Sequence, residues 1–294
     1  MPQPRNKNYG LNWQREVGEQ SEKDWIFGAA SPVCIAEGIP AAKRERYLPA
    51  GEIQESKHSD MMDCASRGPA NIIEYKLNYL VVNKKVSDEA IKFLRQFMND
   101  RGEVEISDAW IAINSFTTQL GNSMKAPLDA VRTGGIIPKK LLPLEDWMTW
   151  EDYHNPGRRT DKMFKIAKKS LECFNFNYEK VKSKNIKEML DRDVLNLAGF
   201  AWPEPVNGEY PRVYEDPNHV FMGLMNPPTY IFDNYLDEEV AGDFIKKLAD
   251  DYYFMDYGYR IIISENKKKQ EKPLWQKIMD WLNNIYNQIK WRDK

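Results

Sequence analysis

Cys64, His219 and Asp233 are the side chains whose types and order could carry covalent chemistry in this chain. A thiolate nucleophile, an imidazole that takes and returns a proton, and a polar group that fixes the ring make the set that acyl transfer requires. Only three histidines occur, His58, His154 and His219. His219 opens the apolar run His219-Val220-Phe221-Met222, and Asp233 follows 14 residues later, after Tyr230-Ile231-Phe232. Two neighbouring antiparallel strands would set them side by side. Asn234 is the alternative orienter, because strand alternation lets only one of the two face the ring. Cys64 stands where the polar stretch 56–63 meets a helical pattern, a place where backbone N–H groups and the helix dipole lower a thiol's pKa. Asp63 opposes a thiolate there. His58 reads as a loop group, His154 as a surface turn residue, and Cys34 and Cys173 as core or loop residues.

The elements that must position these groups follow from periodicity. Ile72, Ile73, Leu77, Leu80 and Val81 recur at helical intervals and predict a helix over 64–82, with Pro69 delaying its start to about Ser66. Ser87-Asp88 and Ser107-Asp108 read as caps of two further helices, the second reaching Leu120, and a fourth from Ser123 stops at Gly134-Gly135. After the turn-rich stretch 146–159, a short helix is expected at 186–191 and strands at 194–202, 220–224, 230–232 and 259–263. Helices first and strands later predict an α+β chain with two lobes. Within 24–264 the helical lobe spans about 55–145 and the antiparallel sheet lobe about 160–264. Residues 1–23 form a polar arm, 265–272 a charged linker, and 273–294 an amphipathic helix.

Composition narrows the function. At 294 residues the chain can bury a sizeable core. With 42 Lys and Arg against 44 Asp and Glu, there is no cationic excess to hold nucleic acid. Three cysteines without CxxC spacing argue against a disulfide framework and a thiolate zinc site. No metal or organic cofactor is expected. The absence of an apolar leader or an 18-residue apolar run places the chain in the cytoplasm. The apolar stripe of 273–294 is expected to dock on its own domain or on a second copy, with a membrane surface the lesser alternative.

The order Cys, His, then Asp or Asn, with a helix behind the Cys and strands carrying the rest, resembles the papain-like cysteine peptidases. Glu74 stands ten residues after Cys64, Ile106-Ser107-Asp108 opens a later helix, and Gly121-Asn122-Ser123 and Gly134-Gly135-Ile136-Ile137-Pro138 are similar to the family's glycine turns. Asn218-His219-Val220 and Asp233-Asn234-Tyr235 stand where the family carries its late motifs. His219 lies 155 and Asp233 169 residues beyond Cys64, which fits insertions near 150–159 and 203–216. The segments 25–28 and 47–54 look more like the divergent members encoded by tailed bacteriophages, whether as enzymes or as virion components.

The resemblance implies a peptide or protein substrate and hydrolysis of peptide or amide bonds. It also implies an oxyanion donor upstream of the nucleophile, which Gln54 matches at ten residues and His58 at six, with Gln54 preferred. Asp233 is preferred over Asn234 because Tyr235 then takes the place of the family's shielding Trp. Gly121 and Asn122 are the substrate-binding candidates. The amino-terminal stretch is shorter and more polar than the family's inhibitory pro-domain, so control by another route is expected. The alternative function is a degenerate papain-like fold acting as a structural or interaction protein.

Overall fold

The computed structural model describes residues 10–19, 38–39, 44–199, 206–211, 216–225, 229–235, 244–250, 252, 257–266 and 279. The helices are α1 (Trp13–Gly18), α2 (Cys64–Val82), α3 (Asp88–Leu94), α4 (Asp108–Asn114), α5 (Lys125–Gly134), α6 (Trp150–Tyr153), α7 (Asp161–Cys173) and α8 (Ser183–Arg192). The strands are β1 (Phe174–Lys182), β2 (Leu195–Gly199), β3 (His219–Met225), β4 (Thr229–Phe232), β5 (Ile245–Leu248) and β6 (Tyr257–Glu265). They make one antiparallel sheet in the order β1-β6-β2-β3-β4-β5. Helices early and a sheet late give the α+β class that the element order predicts.

The central helix α2 is buried from Cys64 to Asn78, polar residues included. Those polar groups need partners in a dry interior, and Arg67, Asn71, Glu74, Lys76 and Asn78 find them. Glu74 accepts the N–H of Ile106 at 2.6 Å and Asn78 that of Val104 at 2.8 Å, which fastens the chain ahead of α4. On the sheet side, Lys76 and Arg260 both reach Asp193, at 2.7 and 2.8 Å. Gly68 lets the first turns of α2 lie against β2 and β3. A Cβ there would stand 2.5 Å from Asn196 Oδ1 and 2.9 Å from Val220 Cγ1.

The capping signals hold where they are local. Ser87 and Ser107 accept the N–H groups of Ala90 and Trp110, and α5 ends on Gly135 at φ +71°. The helix expected to reach Leu120 stops at Asn114, because Phe116 adopts a positive φ of 57° and the chain turns back between Thr118 and Gly121. Both α7 and β5 lie outside the sequence expectation. Helix α7 buries Met163, Ala167 and Ser170, a stripe too small and polar to read as apolar. In β5 an inward position is filled by Lys246.

The polar arm is in part built into the fold. Leu11 and Glu16 are buried, and α1 is fastened through Arg15 to the carbonyls of Phe116 and Ser115. The linker, apart from residues 265–266, and the carboxy-terminal helix expected at 273–294, apart from Met279, lie outside the described residues. No helix among the described residues is long and apolar enough to cross a membrane.

Candidate active site

Cys64 is the first residue of α2, so its N–H belongs to the open first turn of a 19-residue helix. The helix therefore starts earlier than Pro69 suggests. Pro69 lacks the N–H that would bond Ala65, but the turn before it is already closed by Ser66 and Arg67 donating to the Asp63 carbonyl at 2.7 and 3.0 Å. The sulfur is buried and takes a backbone hydrogen bond from Val220, the residue after His219. Burial pushes the thiol pKa well up; the Val220 bond opposes this, while Asp63, Asp60 and Asp233 add to the rise. The Asp63 carboxylate is held by Arg67 Nε at 2.8 Å and the Tyr153 hydroxyl at 2.5 Å. Arg67 also faces Asp108 and Glu52, so a buried charge network underlies the nucleophile.

Strands β3 and β4 bring His219 and Asp233 together as their antiparallel pairing predicts. His219 Nε2 lies 2.6 Å from Asp233 Oδ1, and both side chains are fully buried. Asn234 points elsewhere: its amide accepts from Asn71 at 2.8 Å and donates to the Glu52 carbonyl at 3.1 Å. The Tyr235 ring packs against His219 at 5.3 Å between centroids. Its hydroxyl donates to Asp60 at 2.7 Å and accepts from Gln54 Nε2 at 2.8 Å. Gln54 is thus buried beside the ring's neighbour, with Nε2 also on Asp60 at 2.9 Å. His58 is exposed on its loop. His154 is not the surface turn residue its neighbours suggest. It is stacked on Trp150 at 4.2 Å, and burial pushes its pKa down.

Sequence reasoning passes over Lys246 and Asp60. Lys246 Nζ donates to the second oxygen of Asp233 at 2.6 Å. In sequence it is one of two adjacent lysines on a short strand, and only its almost full burial, against the half-buried Lys247, separates them. Asp60 lies in a loop of polar residues with nothing to single it out. No group of three or more His, Cys, Asp and Glu side chains among the described residues could hold a metal ion.

Gly121 and Asn122 do meet a peptide strand, and it belongs to this chain. Asn122 accepts the N–H of Asn12 and donates to the carbonyl of Gly10, both at 2.8 Å. Leu11 donates to the carbonyl of Asn218, next to His219, at 3.2 Å. Gly10, at φ +104°, lies so close to the residues before Cys64 that a Cβ would stand 2.6 Å from the Met62 carbonyl carbon. Residues 10–12 therefore span from the Asn122 loop to the head of β3 and lie against the approach to Cys64.

No protein-family model and no curated protein matches the chain. Among solved structures, the proform of Amb a 11, a cysteine protease and major ragweed pollen allergen, is similar with a TM-score of 0.52 and 11% identity, over 89% of this chain and 77% of its own. Xylellain, a cysteine protease from Xylella fastidiosa, is similar at 0.46 and 15% over 83% of this chain and 97% of its own. Procathepsin B from Trypanosoma congolense is similar at 0.48 and 14% over 78% and 77%. A helical first half, a late antiparallel sheet and a cysteine-headed helix against that sheet give this chain the papain-like fold.

Proposed function

We propose that the chain hydrolyses peptide or amide bonds through a Cys64 thiolate. The observation that carries this reading is the meeting of Cys64 with the head of β3, where Val220 bonds the sulfur and the preceding His219 is held by Asp233. With Nε2 committed to Asp233, Nδ1 is the ring nitrogen that takes the Cys64 proton. The thiolate then attacks the carbonyl carbon, and the imidazolium returns the proton to the leaving amine. Water, deprotonated by the same nitrogen, cleaves the thioester and frees the thiol. The Cys64 N–H and Gln54 Nε2 are the donors for the oxyanion, Gln54 turning from Asp60 and Tyr235 to reach it.

The strand of residues 10–12 keeps this site closed, so turnover requires its displacement. In a Gly10→Val chain, which frees the groove, Cys64 should be alkylated by iodoacetamide at near-neutral pH. Adding His219→Ala should slow that reaction about a hundredfold, the lower end of what a general base contributes. Equal alkylation rates of the two proteins, once Gly10→Val has raised the rate above that of the intact chain, overturn the peptidase reading. The burial of Cys64 and His219 favours a second one: an idle papain-like fold serving as an interaction module, as in a virus particle.

A further inference from the structure

An inward-facing lysine on a central-facing strand position is costly unless its charge is matched, because an ammonium loses its hydration on burial. Lys246 is almost fully buried on β5, where Ile231 of β4 is its register partner. Its Nζ donates to Asp233 Oδ2 at 2.6 Å and to the Tyr235 carbonyl at 2.5 Å. The other oxygen of the same carboxylate takes His219 Nε2 at 2.6 Å. One carboxylate therefore joins an ammonium to an imidazole, in a line from β5 to β3.

We infer that Lys246 is a positioning residue for His219: it fixes the rotamer of Asp233 and offsets that carboxylate's pull on the ring's proton. The inference rests on the proposed role of His219 and deepens it. A dry carboxylate against an imidazole stabilises the imidazolium, and a ring that cannot release its proton cannot act as a base. An ammonium on the far oxygen takes up part of that negative charge. It also holds Asp233 ionised: burial alone pushes the carboxyl up, and His219 and Lys246 together bring it below its usual range. Because Lys246 also grips the Tyr235 carbonyl, the aromatic ring beside His219 is fixed by the same cation.

The groups facing His219 set the terms of a test. They are Asp233 and Tyr235 after β4 and Phe221 of β3, with Asp60 behind Tyr235, Lys246 behind Asp233, and Cys64 at the head of α2 beside the next residue, Val220. With three histidines in the chain, NMR titration of each imidazole is tractable, His58 and His154 being assigned by substitution. Lys246→Met should raise the His219 midpoint by about one unit, a tenfold gain in proton affinity, and Lys246→Arg should restore most of it. A midpoint unmoved or lowered in a folded Lys246→Met overturns the inference, since a mere core ion pair would change stability and not the ring. Should that variant not fold, Lys246→Gln, which loses the charge but keeps an N–H donor on that strand position, takes its place. It should raise the His219 midpoint in the same direction, and an unmoved midpoint overturns the inference equally. The readout needs no turnover, so a chain that fails to hydrolyse peptides leaves this result standing.

Discussion

Leu11 donates its backbone N–H to the carbonyl of Asn218, the residue directly before His219, at 3.2 Å. An amino-terminal strand is thereby tied to the sheet at the point where the candidate base begins. Glu16 secures the same segment from below, accepting the Met124 N–H at 2.6 Å and the Tyr257 hydroxyl.

Loosening that strand should expose the thiol. Gly10→Val adds a side chain where the backbone has a positive φ and Met62 leaves no room. The alkylation rate of Cys64 at pH 7, followed by mass spectrometry, should rise at least about tenfold over the intact chain as the burial that raises its pKa is relieved. In the intact chain the rate should climb only toward alkaline pH. An unchanged rate in a folded Gly10→Val would show that residues 10–12 do not limit access.

Gly68→Ala should destabilise the fold, although alanine is the better helix former by about 1 kcal/mol. The added methyl meets Asn196 and Val220 at distances no side chain tolerates, so these side chains or α2 itself must shift. Overpacking of this kind costs about 1–3 kcal/mol, and urea unfolding should report a net loss. A gain in stability would mean that α2 is not pressed against the sheet there.

Lys76→Met leaves Asp193 still paired with Arg260 and should destabilise the fold by less than about 3–5 kcal/mol, the range for a buried charge left alone. Burial pushes the Asp193 carboxyl up, but Lys76 and Arg260 bring it below its ordinary value. The stability from a depressed carboxyl is present above its unfolded pKa and is lost as pH falls through the folded one. Thermal unfolding of the wild type should therefore weaken below about pH 4, with a shallower slope in Asp193→Asn.

Glu74 has the opposite sign. Its burial, with Glu52 and Asp108 nearby, pushes its pKa well up. A raised carboxyl favours the folded state at low pH and loses that contribution as pH rises from the unfolded value. Gln keeps the acceptor for Ile106 without the charge, so Tm of Glu74→Gln relative to wild type should increase between pH 5 and pH 8. A constant difference would show that Glu74 is ionised in the fold at both pH values.

The sequence by itself determined the local and periodic features. The apolar recurrence of α2, the serine caps of α3 and α4, the glycine stop of α5 and the two strands that begin at His219 and end just before Asp233 all depend on neighbours within a few residues. Antiparallel pairing of β3 with β4 then brought the imidazole to a carboxylate, since a 14-residue separation on adjacent strands leaves few other arrangements. The preference for Asp233 over Asn234 came from the resemblance; where Asn234 goes instead is a matter of packing, which turns its amide toward Asn71 and Glu52. Lys246 was invisible for the same reason: a lysine's place inside or outside a sheet depends on what stands beside it, and its partner comes from another strand. The place of residues 10–12 was hidden most completely. Gly10, Leu11 and Asn12 are too few to show periodicity, and their place is set by backbone hydrogen bonds to Asn122 and Asn218, more than a hundred residues away, which side-chain pattern cannot encode.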